Sequence, residues 1–248
     1  MHKEIALSEQ QKKFQADEGG ALTKYRIFIA GNKSWGFFAA FELYNLLISG
    51  CGSLLGYGAR ALLLPFFLGG SRGKITVGRG VTLRNPAAIF FGRGVIAEDY
   101  AVIDVRSTES GSGRIEIGDH VFLGRNTIVT AKGGEIKLHP GVNISSDCRI
   151  ATQSSVEICS GVLIGAYTYI GPGNHRTNDS RPIMEQGMDI RGGVHIGENC
   201  WIGARVTILD GVKVGNNSVI GAHSLVREDV PENAVVAGTP ARIIRYRS

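Results

Sequence analysis

The sequence predicts an all-β solenoid, a parallel β-helix of six-residue units with an apolar helical segment before it and one excursion loop. Three observations predict it. Ile196, Ile202, Ile208, Val214, Ile220 and Val226 recur at every sixth position without a slip, and the positions four residues after each (Cys200, Val206, Val212, Ser218, Ser224 and Val230) are small or apolar. Such a hexad buries two residues, turns at a small one and stacks into a prism with a continuous aliphatic core. The same beat runs through Ile117, Leu123 and Val129, through Ile144, Ile150 and Val156, and through Ile158, Ile164 and Ile170. Composition agrees: 35 Gly against 7 Pro with only 20% charged residues suits short strands and tight turns. Finally, the beat lapses after Ile170 and resumes at Val194, which leaves a loop over residues 174–193 that adds nothing to the core.

The elements follow in chain order. Residues 1–70 form a polar arm to about Gly20 and then an apolar, helical segment. Its Ser34–Leu68 stretch carries Trp35, Phe37, Phe38, Phe41, Leu46, Leu47, Leu54, Leu55, Phe66 and Phe67. Glu42 and Arg60 bracket an uncharged run too short and too rich in Gly for a membrane span. Two readings stand for residues 34–68: helices packed on the end or side of the main domain or on a neighbouring subunit, or an apolar face docked in a membrane interface. Residues 71–231 are the β-helix domain and residues 232–248 a basic tail. The N-terminus lacks the basic and apolar regions of a secretory signal, which predicts a cytoplasmic protein, peripheral on the inner membrane face under the second reading.

Charge and cysteine content narrow the function classes. The net charge of +5 comes from dispersed Lys and Arg without interleaved aromatics, so nucleic acid is not expected as a partner. Cys51, Cys148, Cys159 and Cys200 form no C-x-x-C pair and read as small buried core residues in a reducing compartment, and no metal is expected.

Chemistry is expected where a rigid scaffold projects a loop. The excursion opens with Asn174 and His175 and continues through Arg176, Asp179 and Arg181. An imidazole with a pKa near ~6.5 suits general-base removal of a hydroxyl proton, worth about 10² to 10⁴ in rate. Of the other histidines, His2 is terminal, and His120, His139, His195 and His223 occupy turn or outward hexad positions.

The segments Ile196-Gly-Glu-Asn-Cys-Trp-Ile-Gly-Ala-Arg, Val219-Ile-Gly-Ala-His-Ser, Val226-Arg-Glu-Asp-Val-Pro and Val236-Ala-Gly-Thr-Pro-Ala-Arg resemble the hexapeptide-repeat acetyltransferases, particularly the maltose and galactoside O-acetyltransferase branch. The resemblance covers about residues 75–245 and implies a left-handed parallel β-helix assembled as a homotrimer with sites between subunits. Related chains with an apolar N-terminal segment look like enzymes that decorate capsule, exopolysaccharide or lipopolysaccharide sugars. The resemblance implies acetyl-CoA as co-substrate, a sugar or glycan acceptor, and His175 as the catalytic base. It implies Ala204 and Ala222 along the pantetheine arm, and Arg227, Arg242 and Arg245 at the phosphates. Asn174 and Asp147 are the implied substrate contacts, Asp147 standing where the family often carries Asn. Trp201 is expected to pack at a repeat corner near the coenzyme. An amino-sugar N-acetyltransferase is the nearest alternative. Two more are a carbonic-anhydrase-like enzyme, which needs three His converging on zinc between subunits although His175, His195 and His223 include no close pair, and a non-catalytic assembly protein.

Overall fold

The structure is a computed structural model that describes residues 20–108, 111–171 and 173–247. Most of the polar arm expected before Gly20 lies outside the described residues. From Gly70 onward, short strands stack into three faces, sheets of seven, nine and seven strands among the described residues. Each coil contributes one strand to each face. Arg114–Ile117, Glu135–Leu138, Ser155–Ile158 and Val194–Ile196 are successive rungs of the first face. Phe122–Leu123, Asn143–Ile144, Leu163–Ile164 and Trp201–Ile202 belong to the second, and Ile128–Lys132, Arg149–Thr152, Tyr169–Ile170 and Thr207–Ile208 to the third. Neighbouring rungs pair in parallel and in register, as Ile144 with Ile164 and Ile150 with Ile170. Every aliphatic hexad position named above is buried, and so are Cys200, Ser218 and Ser224.

The hexad works because its corners are tight. At the corner after the first face, the backbone enters the left-handed region at His120, Asn199, Asn217 and Asn233. At the corner after the second face it does so at Tyr100, Asn126, Asp147, Tyr167, Arg205 and His223. Asn, Asp and His tolerate this region best among residues with a Cβ. Each such N–H donates to a carbonyl of the coil before it, as Arg205 to Ala166 (2.8 Å) and His223 to Ala204 (2.9 Å). The Gly that follows so many aliphatic positions serves the same stacking. A Cβ on Gly203 would lie 2.6 Å from the Ala222 nitrogen, and one on Gly165 would lie 2.6 Å from the Ala204 nitrogen.

Among the described residues three α-helices precede the solenoid: α1 (Ala21–Ala30), α2 (Trp35–Tyr44) and α3 (Leu54–Leu63), with a π-helical turn over Asn45–Ser49. Ser34 and Ser53 cap α2 and α3 by accepting from Phe37 N and Gly56 N, both 3.2 Å. Phe37, Phe41, Tyr44 and Phe67 pack ring on ring with centroids 5.1–6.3 Å apart. Phe41, Tyr44, Leu64 and Leu68 join the aliphatic core, closing the end that the first coil would otherwise leave wet. Burial pushes the Tyr44 phenol up to about 12. Buried Arg60 donates to the carbonyls of Val77 (2.9 Å) and Cys51, fastening α3 to the first coil. The other side of this cap is apolar and open: Leu46 is 79% exposed, Leu54 85%, Leu55 84% and Phe66 77%.

Residues 232–248, read from sequence as a basic tail, largely form a hairpin. Ala234–Gly238 adds a rung to the second face and Ala241–Tyr246 pairs antiparallel with it. Among the cysteines, Cys148 and Cys200 are buried core residues, but Cys51 and Cys159 are only partly covered. Residue 159 points outward because it lies one step past inward Ile158.

Gly203→Ala should therefore destabilise the fold by about 1–3 kcal/mol, because the new methyl has only backbone to meet. Denaturant unfolding monitored by circular dichroism checks this, with Gly58→Ala, inside α3 where a Cβ meets open space, expected to be at least as stable as the native chain.

Candidate active site

The excursion leaves the third face after Ile170 and rejoins the first at Val194, the longest departure from the coil beat among the described residues. It is an ordered hairpin: Asn174–His175 pairs antiparallel with Met188–Asp189, His175 opposite Met188, and Arg176 N donates to Gly187 O (3.1 Å). Gln186, almost fully buried, staples the tip by donating to the carbonyls of Asp179 (3.0 Å) and Arg181 (2.7 Å). The Arg181 guanidinium, 2.7 Å from Asp179, holds that carboxyl below its ordinary range. The return is anchored on the solenoid. Asp210 of the next coil accepts from the backbone N–H of Arg191 and of Gly193 (2.8 Å), and Gly211 N donates to Gly193 O (2.7 Å). Ser155 Oγ donates to Gly192 O (3.0 Å).

His175 thus sits on a braced strand rather than a free loop, with Asn174 beside it, and both are exposed. No side-chain hydrogen bond occupies the His175 ring among the described residues. An imidazole so placed is free to accept a proton from a hydroxyl laid against it. Asp210 and Gln186, which brace that strand, carried no signal in the sequence, because their partners are backbone atoms of other coils or of the loop itself.

The remaining candidates fall into two groups elsewhere. Asp147, Ala204 and Ala222 all lie on the corner after the second face, in the column where Tyr167 N donates to Ser146 O, Arg205 N to Ala166 O and His223 N to Ala204 O. Asp147 takes its left-handed conformation there and accepts from Asn126 Nδ2 at 3.1 Å. It precedes the third-face strand of its coil, whereas the excursion begins past the end of that face one coil later. Among the described residues no hydrogen bond or ion pair joins Asp147 to His175. At the C-terminal end, Arg227 Nε (3.4 Å) and an Arg242 guanidinium nitrogen (3.6 Å) share the Glu228 carboxylate. Thr239 Oγ1 donates to His223 O (3.2 Å), so the hairpin turn rests on the same corner column as Ala222. Arg245 is set apart, opposite Val235 while Arg242 is opposite Ala237, and it donates to Tyr246 O (3.3 Å).

One expectation changes. Trp201 is not at a corner: it lies mid-face on the second sheet between Leu163 and Val219, outward and 57% exposed. His175, His195 and His223 lie on the excursion, the first face and a corner.

A family model described as bacterial transferase hexapeptide (six repeats) matches residues 193–228. The chain is 32% identical over 160 residues to a Mycobacterium tuberculosis protein named as an acetyltransferase, Rv3034c, the match covering 64% of this chain and 50% of that one. It is 32% identical over 130 residues to a galactoside O-acetyltransferase of Lactococcus lactis, covering 52% and 62%. With Escherichia coli WbbJ, whose name assigns it to lipopolysaccharide biosynthesis O-acetyl transfer, it is 36% identical over 141 residues, covering 54% and 72%. The chain therefore spans half to three fifths of the length of the first two relatives and nearly three quarters of the third. The coiled repeat, the matched repeat model and the extent of identity with WbbJ place this chain in the hexapeptide-repeat acetyltransferase family, with the left-handed parallel β-helix that the sequence resemblance implied.

Proposed function

We propose that this protein is an acetyl-CoA-dependent O-acetyltransferase that acts on a sugar hydroxyl, of a surface glycan or its lipid-linked precursor, with His175 as general base. The observation that carries the reading is the braced His175 strand: the solenoid departs from its beat at length to present one unoccupied imidazole. The acceptor hydroxyl gives its proton to His175 as its oxygen attacks the thioester carbonyl, and collapse of the tetrahedral intermediate expels the coenzyme thiolate, which takes up the proton. The names of the galactoside and lipopolysaccharide relatives support a sugar acceptor.

The corner column at Ala204 and Ala222 offers the pantetheine arm a wall without bulk. Arg227 and Arg242, at the end where that column meets the C-terminal hairpin, offer cations to the phosphates, and Arg245 extends the charge along the last strand. Asp147, on the same column, faces a coenzyme laid there, while His175 belongs to the far end of the third face. Assembly as a homotrimer brings the Asp147 corner of one subunit to the His175 strand of the next, and Asn174 with it.

The exposed leucines of the N-terminal cap support peripheral docking on a membrane, where a lipid-linked acceptor would be found. Among the described residues no helix is long and apolar enough to cross one.

Two measurements test this. Thiol release from acetyl-CoA over a panel of sugars, amino sugars and glycan fragments should require a hydroxyl acceptor and fall about 10²- to 10⁴-fold in His175→Ala. Equal turnover in the variant removes His175 as base, and turnover confined to amino sugars replaces hydroxyl with amine. Changing Leu54 and Leu55 to Asp should cut partitioning onto phospholipid vesicles by at least about tenfold, since each buried leucine is worth about 1.5–3 kcal/mol, while soluble-acceptor turnover persists. Unchanged partitioning would refute the docking.

A further inference from the structure

On the first face, away from the His175 strand, three successive coils place metal-binding side chains side by side. Pairing in register aligns Lys137, Glu157, His195 and Lys213 in one outward row. Two residues on, again outward, the next row runs Gly118, His139, Cys159 and Gly197, linked by Gly118 N to Leu138 O, His139 N to Ile158 O and Cys159 N to Ile196 O. Glycine on both sides of His139 and Cys159 leaves that pair uncrowded. His139 Nε2 lies 2.8 Å from Glu157 Oε1, His195 Nδ1 lies 3.3 Å from Glu157 Oε2, and Cys159 Sγ lies 4.0 Å from His195 Nε2. The ligand atoms of His139, Glu157 and Cys159 all fall within 4.8 Å of one another.

We infer that His139, Glu157 and Cys159 form a binding site for a divalent transition ion of the zinc class, with His195 holding the second Glu157 oxygen. The donor set of one nitrogen, one carboxylate oxygen and one sulfur is that of a borderline-soft ion rather than calcium or magnesium. Tetrahedral zinc holds its donors about 3.3–3.8 Å apart, so closure takes about 1 Å of side-chain rotation by partly exposed groups. His195 orients the ligating carboxylate from outside, and solvent takes the fourth position. The hydrogen bonds from His139 and then His195 keep the Glu157 carboxyl below its ordinary range, ready as an anion. An arriving cation displaces the Cys159 thiol proton to solvent as the metal–sulfur bond forms. The three ligands tie two neighbouring coils together at Leu138 and Ile158, and the His195 contact to Glu157 extends the site to the coil that resumes at Val194.

The test is titration of tag-free, chelator-treated full-length protein with Co²⁺, then Zn²⁺. The expected result is one ion per chain, tetrahedral d–d absorption and a thiolate-to-cobalt charge-transfer band that zinc abolishes. Cys159→Ser removes that band, Cys51→Ser keeps it, and His195→Ala keeps it while weakening the affinity about 10- to 100-fold. Circular dichroism confirms that each variant is folded. A charge-transfer band that persists in Cys159→Ser, or the absence of stoichiometric binding to the native chain, overturns the assignment.

Discussion

Close stacking of each coil on the one before it, through left-handed corner residues and through glycines such as Gly165 and Gly203 that lie against the neighbouring backbone, is the constraint on which the rest of the structure depends. Parallel in-register strands satisfy the backbone along the faces. At the corners the satisfaction comes from left-handed residues such as Asn126, Asp147, Arg205 and His223, whose N–H groups reach the preceding coil. Because Gly203 and Gly165 sit against the next coil's backbone, rise and register are set there, and the aliphatic core follows. A solenoid so built has little freedom left within its coils. Variation is confined to its ends and to segments that leave it, and that is where the apolar cap, the C-terminal hairpin and the His175 excursion are found.

The same stiffness fixes what one chain offers. A corner column and a loop on the far side of a face are held apart by strands that cannot bend toward each other. The substrate-contact candidate Asp147 and the coenzyme candidates Ala204 and Ala222 therefore form one group on the corner column, and His175 with Asn174 another. Under the proposed mechanism, association of subunits completes the site. The excursion is braced accordingly: Asp210 and Gly211 hold its return and Gln186 its tip, so His175 is presented in a fixed geometry to whatever meets it.

Legibility in the sequence follows the same physics. The hexad was plain because Ile196 to Val226 must all point into one narrow core, and any slip would expose an aliphatic side chain. His175 was plain because its segment breaks that beat. Residues whose role depends on the neighbouring coil were hidden. Cys159 reads as another small core residue until the strand alternation turns it outward beside His139 and His195, the latter 36 residues away in sequence. Trp201, expected at a corner from the resemblance, lies mid-face because pairing across coils sets it between Leu163 and Val219. The C-terminal basic residues mask the alternation that makes the last hairpin.

The most direct test of the central claim, that the catalytic and coenzyme-side groups meet only across subunits, is complementation between inactive variants. His175→Ala and Asp147→Ala chains, each inactive alone, would be unfolded together, refolded as mixed assemblies and assayed for acetyl-CoA-dependent thiol release. A site built from two subunits predicts recovery to about a quarter of native turnover, since random mixing unites an intact His175 with a neighbour's intact Asp147 at that frequency. Turnover no greater than that of the single variants would mean that both groups act from one chain, and would contradict the account.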